Sequence, residues 1–331
     1  GINYLIPEII LAATIILLII QDLIKPAYIL SLVIFVAGVI LSLVLVREVT
    51  ISDPLWQALI DPDAFANSAK WIIGVAGMFT AIMGLQRGGS LQKPGEYFTF
   101  LTTILLGSYL AVSSRNLLVI VIALEMISIP SYVLTAFHFN KKGSEGALKY
   151  FLFGAASTAI FIYGISFYYG FTGSILLDSI TVPEKVMTGL NGSIILILAG
   201  ILFKVAAVPM HIWLPDVYES APTPVVAFFS VVPKVAGLIL LARIAFWHSN
   251  LFGDKLMLLV LSIIAVASMI VGNLGALRQN NAKRMLGYST IAHSGFLILA
   301  IISLDSNGIV NLLFYTGVYM IMIFGVFALI D

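Results

Sequence analysis

Residues 117–134 read LLVIVIALEMISIPSYVL, eighteen residues in which Glu125 is the sole charge. As an α-helix the run rises about 27 Å, close to the roughly 30 Å thickness of a hydrocarbon core. It shows none of the polar-apolar alternation of a barrel strand. The run therefore reads as a membrane-crossing helix that carries one group unfit for lipid, and the same two features recur along the rest of the chain.

The 331 residues are 60% apolar and only 10% charged, against about 25% charged in soluble domains. An ordinary water-soluble domain is excluded. Breaks at Gly, Pro, Asn and charged clusters divide the chain into eleven spans, at about 4–20, 27–46, 70–86, 96–113, 116–138, 146–170, 190–213, 224–246, 254–274, 284–302 and 308–330. The fold class is all-α, a polytopic transmembrane helical bundle. The first span begins behind acidic Glu8 with no small-residue cleavage site after it, so a retained helix is expected rather than a signal peptide. A net charge of +1 offers no field for nucleic acid. The absence of cysteine excludes disulfides, thiolate metal sites and cysteine-ligated iron-sulfur clusters in this chain. No phosphate-binding, haem-attachment or flavin motif is present, and no metal or cofactor site is expected.

Loop charge sets the expected orientation. One set of loops holds Lys25, Arg87, Lys93, Lys141, Lys142, Lys149, Arg278, Lys283 and Arg284, and the other holds Arg47, Lys70, Arg115, Lys185 and Lys255. The larger set is assigned to the cytoplasm, which puts the amino terminus outside.

Three basic residues remain inside spans: Lys204, Lys234 and Arg243. With Glu125, the two lysines would cost on the order of 8 to 10 kcal/mol if each stood isolated in lipid. One reading makes Glu125 and a lysine a structural ion pair that fixes helix register. The other makes these groups protonatable stations on an ion path, because a second lysine without a match is costly for a merely structural device. Arg243 is expected to snorkel outward as an anchor, and His138 and His248 to be interfacial.

Prolines accompany the three charges. Pro130 and Pro209 each follow a charge by five residues, and Pro233 immediately precedes Lys234. Each removes a backbone donor and is expected to kink or break its helix, as happens where transporters place ion sites. The densest segment is FKVAAVPMHIWLPDVYESAPTPV at 203–225. There His211 lies two helical turns beyond Lys204, and it is a candidate proton relay toward the cytoplasm or else a hydrogen-bonding residue at a helix break. Gly154, Gly164, Gly272 and Gly275 suit close helix packing.

LEMISIPSYVLTAF (124–137), GALKYFLFGAASTAIFIYG (146–164), LFKVAAVPMHIWLPDVYESAPTPVVAFFSVVPKVAG (202–237), AKRMLGYSTIAHSGF (282–296) and the early LIPEIIL (5–11) together resemble the subunit N family, mitochondrial subunit 2 type, of respiratory complex I, the proton-translocating NADH:quinone oxidoreductase. Subunits M and L and the multisubunit sodium/proton antiporters share the glutamate-lysine pattern. The resemblance implies an antiporter-like inverted-repeat fold with a discontinuous seventh helix. It divides the chain into an amino-terminal three-helix region at 1–95, a first five-helix repeat at 96–250 holding the proton path, and a partial second repeat at 251–331. It places Glu125 and Lys204 as an interacting pair, Lys234 as the next station, and His211 on the cytoplasmic side of the break. It further implies a bacterial inner-membrane location, partner membrane subunits, surrounding lipid, quinone bound elsewhere, and flavin and iron-sulfur clusters in partner subunits. The family has about fourteen helices, so the carboxyl-terminal helices and their lysine are expected to be missing from this sequence.

Overall fold

The computed structural model describes residues 2–47, 51, 53–85, 93–177, 184–247, 255–303 and 306–330. Thirteen α-helices follow a short 3₁₀ turn at Ile2–Leu5: α1 (Ile6–Ile24), α2 (Tyr28–Val44), α3 (Pro54–Gln57), α4 (Ala64–Leu85), α5 (Pro94–Ser113), α6 (Leu117–Thr135), α7 (Lys141–Thr172), α8 (Glu184–Val205), α9 (Leu214–Ser220), α10 (Thr223–Trp247), α11 (Lys255–Leu277), α12 (Ala282–Ile302) and α13 (Ser306–Ile330). Among the described residues the only β pairing is two isolated bridges, Ile60 with Ser114 and Asn116 with Leu176. His248 and Arg87 lie outside the described residues.

A long helix occupies each of the eleven expected positions, and nine of those described are long and apolar enough to cross a membrane by themselves. Tyr28–Val44 is apolar but shorter, at 17 residues. α5 carries Glu96, four threonines and serines in its first fifteen positions or so, and is mostly buried among its neighbours, so its apolar signal is diluted where lipid contact is least needed. The chain is a multi-pass membrane protein.

Helix starts follow from local chemistry. Asn116 accepts from the amides of Leu118 and Val119 at the head of α6. Asn140 does the same for Gly143 in α7, and Asn281 for Arg284 in α12. Each satisfies amides that have no partner within the helix. α7 ends at Gly173, whose φ of 67° is the left-handed conformation that glycine adopts without a Cβ clash.

α10 is the central rod, its apolar stretch buried throughout, and it packs on α4, α5, α8, α12 and α13. Both lysines of interest therefore sit at or against the interior of the bundle. A Cβ at Gly154, Gly164, Gly272 or Gly275 would collide with a neighbouring helix, the expected packing role.

Sequence expectations change here: Lys141, Lys142 and Lys149 lie in α7, and Lys283 and Arg284 in α12, at helix ends rather than in loops. Lys70 is a helical residue, six positions inside α4 and 2% exposed, not a loop charge. Arg243 does not snorkel: it is 4% exposed, donating from Nε to the Val112 carbonyl at 2.8 Å and from Nη2 to Asp63 at 2.6 Å. Protein acceptors for Nε and Nη2 remove much of the reason to reach for water.

Candidate functional site

The prolines part company. α6 and α10 run without interruption through Pro130 and Pro233, whereas the seventh span stops at Val205 and resumes as α9 at Leu214. The break contains a cis Val208–Pro209 bond. It is built by the C-terminus of α8: Ala206 turns to a φ of 56°, its amide bonds the Phe203 carbonyl at 3.1 Å, and the Ala207 amide reaches back to Leu202 at 3.1 Å. This paired arrangement is the Schellman closure of a helix, with alanine where glycine is usual.

The closure leaves backbone groups that must find partners at membrane depth. The Val205 carbonyl would normally accept from residue 209, but that residue is proline and has no amide hydrogen. Ser294 of α12 supplies the donor instead, from Oγ at 2.8 Å. The Val208 amide, free of the helix, donates to Ser268 Oγ of α11 at 2.9 Å. Two serine hydroxyls from two neighbouring helices thus hold the broken end.

Lys204 stands in the last turn of α8, where the carbonyl end of the helix dipole favours a cation. It is 6% exposed. Its ammonium donates to Ser128 Oγ of α6 and lies over the Phe203 ring at 5.4 Å. Ser128 donates its hydroxyl hydrogen bond to the Leu124 carbonyl, so its oxygen is free to accept. Glu125, three residues before Ser128, is half-buried and accepts from Thr158 of α7 at 2.7 Å. Among the described residues Glu125 and Lys204 make no direct ion pair; a serine hydroxyl holds the lysine on the helix that carries the carboxylate.

Lys234, in α10, is 3% exposed. Its ammonium donates to the Thr290 carbonyl and to Ser294 Oγ, each at 2.7 Å, and lies 5.9 Å from the centre of the Tyr319 ring. Tyr319 in turn donates to Thr290 Oγ1 at 3.0 Å, and His293 Nδ1 meets Tyr315 Oη at 2.7 Å. Gly237, one turn beyond Lys234, lets α10 approach α8 so closely that an added Cβ would stand 3.2 Å from Cβ of Lys204. The structure thereby brings Lys204, Lys234 and the helix break together, with Glu125 one residue shell away behind Ser128 and Thr158.

His211 lies in the turn between α8 and α9, so its supposed two-turn register with Lys204 does not exist. The helix ends one residue after Lys204 because of the closure at Ala206. His211 is partly buried, and its Nδ1 is enclosed without a hydrogen-bond partner. Beside it, Trp213 stacks on Tyr150 at 4.1 Å and packs on Phe203 at 5.0 Å, which ties the far side of the break to α7 and α8. His138 sits in the turn after α6, exposed at a helix end as expected.

α9 leads to a polar mouth of about 190 Å³. Asp216 there takes Lys149 at 2.9 Å and Arg284 at 2.5 Å, and Glu219 takes Lys142 at 2.7 Å and Arg284 at 3.1 Å. Burial pushes the Asp216 carboxyl up, but the hydrogen bonds from Lys149 and Arg284 outweigh it and leave its pKa lowered. Lys142, with Arg284, lowers that of Glu219 against a smaller desolvation effect.

Sequence reasoning missed the partners: Ser128, Thr158, Ser268, Thr290, Ser294, Tyr319 and His293. It also missed a buried pair remote from the break, Glu8 with Lys70 at 2.6 Å. Among the described residues no group of three His, Asp or Glu side chains is placed to hold a metal.

Residues 114–331 match the family described as "NADH:quinone oxidoreductase/Mrp antiporter, TM". The chain is 35% identical to NADH-quinone oxidoreductase subunit N of Anaeromyxobacter sp., over 84% of this chain and 59% of that protein. It is 35% identical to NADH-quinone oxidoreductase subunit N 2 of Sorangium cellulosum, over 99% of this chain and 70% of the relative. The chain thus spans between 59% and 70% of the length of these curated relatives. A chain of respiratory complex I from Thermus thermophilus superposes with a TM-score of 0.78 at 29% identity, covering 96% of this chain and 70% of its own. The chain belongs to the NADH:quinone oxidoreductase/Mrp antiporter membrane family.

Proposed function

We propose that this chain is the antiporter-like N-type membrane subunit of an NADH:quinone oxidoreductase, and that it moves protons across a bacterial inner membrane while partner subunits reduce quinone. The observation that carries the reading is the state of Lys204 and Lys234: both are buried beside one broken helix, and their ammonium groups are held by hydroxyl and carbonyl oxygens, with no ion pair to a carboxylate among the described residues. A buried ammonium without a counter-ion is costly in its charged form. A modest change in nearby charge can therefore decide whether it keeps its proton.

In this mechanism a proton enters from the cytoplasmic mouth beside α9, with His211 at the break as relay. Lys204 takes it up at Nζ, and Glu125, held by Thr158, biases that uptake through its charge. The proton passes to Lys234 across the contact that Gly237 permits. The amino terminus faces outside, the flavin and iron-sulfur clusters belong to partner subunits, and other membrane subunits and lipid cover the outer faces. Residues 96–250 form the repeat that holds the path, flanked by a three-helix region at 1–95 and a partial second repeat at 251–331.

The test uses the full-length subunit in its assembled complex in native membranes, with NADH-driven quinone reduction and pH-gradient formation measured together. Lys204→Met and Lys234→Met should each assemble and lower gradient formation by about a hundredfold, the scale of a lost proton-transfer group. Glu125→Gln should lower it in the same direction. An unchanged gradient in both lysine variants would remove the reading. A gradient that forms only with sodium present would move the chain to the cation/proton antiporter branch of its family.

A further inference from the structure

The hydroxyl of Ser294 occupies an unusual place in this network. It is fully buried, it accepts from Lys234 Nζ at 2.7 Å, and it has two acceptors within reach of its single proton: the Val205 carbonyl at 2.8 Å and the Thr290 carbonyl at 3.0 Å. The Thr290 carbonyl already receives a hydrogen from Lys234 at 2.7 Å. The Val205 carbonyl has lost its helical donor to Pro209. With Lys234 charged, these bonds run in one direction: ammonium to Ser294, and Ser294 to the broken end of α8.

Neutral Lys234 reverses the polarity of the first bond. An amine nitrogen carries a lone pair, so the Ser294 proton can turn toward Nζ, and the Val205 carbonyl is then left buried without a donor. We propose that Ser294 is a positioning residue that couples the charge on Lys234 to the broken end of α8, and so to Lys204, the residue immediately before Val205. This rests on the reading of Lys234 as a proton station. It adds a physical link between the two stations that needs no ion pair: a single hydroxyl whose orientation is set by one lysine and whose absence is felt in the last turn carrying the other. No bond is made or broken at Ser294; the proton that leaves Lys234 continues along the path, and the hydroxyl rotates.

Ser268 provides the internal control. It holds the other loose end of the same break through the Val208 amide at 2.9 Å, and among the described residues it makes no hydrogen bond to either lysine. In assembled complexes in native membranes, Ser294→Ala should lower the pH gradient formed per quinone reduced by about fivefold, the scale of one neutral hydrogen bond such as that from Ser294 to the Val205 carbonyl. Ser294→Thr, which restores the hydroxyl, should stay within about twofold of the parent, and Ser268→Ala should destabilise the complex while leaving the ratio near the parent's. Should Ser294→Ala fail to assemble, Ser294→Cys keeps the volume with a weak donor and carries the same expectation. A parental ratio in Ser294→Ala or Ser294→Cys, or a Thr variant no better than Ala, would overturn the coupling. If Lys234→Met also pumps normally, the proton-station reading fails as well; if Lys234→Met is silent while Ser294→Ala is normal, only the role of Ser294 fails.

Discussion

Among the described residues three lysines are sealed inside this bundle, and they are sealed in two different ways. Lys70, on α4, meets Glu8 of α1 at 2.6 Å, with the side chains 2% and 4% exposed, and the ammonium lies 5.8 Å from the centre of the Tyr109 ring on α5. The two charged atoms are close without the alignment of a hydrogen bond, and Glu8 Oε2 is enclosed with no donor. Lys204 and Lys234 have oxygens of serine, threonine and backbone where Lys70 has a carboxylate. A carboxylate at that distance attracts the ammonium directly. A hydroxyl accepts from the ammonium and donates equally well to the free amine. The first arrangement pairs opposite charges and joins α1, α4 and α5; the second surrounds each ammonium with oxygens, some of which belong to hydroxyls that can also donate. Under the proposed function, the amino-terminal pair serves structure and the break carries proton traffic.

The sharpest way to break that comparison is to exchange consequences between the two regions. Lys70→Met strands Glu8 in a dry interface and is expected to cost about 3–5 kcal/mol, read as loss of assembled complex or a lower unfolding temperature. The double substitution Glu8→Leu with Lys70→Met should recover most of that loss, since two well-packed apolar side chains can replace a buried pair without penalty. Lys234→Met removes a charge that has no counter-ion, so it should leave assembly near the parent's and abolish pumping. A stable Lys70→Met complex together with an unstable Lys234→Met complex would invert the assignment.

Of intermediate size is the loss of a cap at the break. Ser268→Ala leaves the Val208 amide buried with no acceptor, and about 1–3 kcal/mol should be lost. Protease sensitivity between α8 and α9 reports it, because local opening there exposes the turn at 206–213. A variant as resistant as the parent would mean that the Val208 amide finds another acceptor.

The positions of the helices were legible because each hydrophobic run is long, and Glu125, Lys204 and Lys234 stood out because mid-span charges are costly anywhere in lipid. Lys70 and Glu8 are hidden for the opposite reason: both fall near span ends, where a charge is normally wet, and Lys70 stands at the first position of its apolar run. Arg243 was misplaced by the same logic, since proximity to an end suggests water and says nothing of Asp63 and the Val112 carbonyl folding over it. The serines were invisible in principle. Ser128, Ser230 and Ser294 all reach the carbonyl four residues back, which is what any serine does in a membrane helix, and only the three-dimensional neighbour reveals which of them also holds a lysine. The register of His211 failed because spacing assumes a continuous helix, whereas α8 closes at Val205.

The charged mouth beside α9 extends the comparison to wet ground and carries the smallest effect. Its carboxylates are paired as tightly as Glu8, yet Asp216 and Arg284 are 27% and 31% exposed at the side chain, so solvent screens them. Arg284→Gln should therefore cost only about 0.5–1 kcal/mol, unlike the loss of Lys70. The pH dependence gives the sign. Asp216 and Glu219 both hold pKa values below their ordinary 3.8 and 4.5 in the folded protein. Their contribution is fully present above those ordinary values and is lost as pH falls through the lowered ones. Thermal unfolding of the parent and of Arg284→Gln should thus differ most above about pH 5 and converge as the carboxylates protonate below about pH 4. A difference that persists undiminished to acid pH would show that Arg284 acts there by packing its stem, and the mouth would then join Glu8 and Lys70 as a structural clamp rather than a screened surface network.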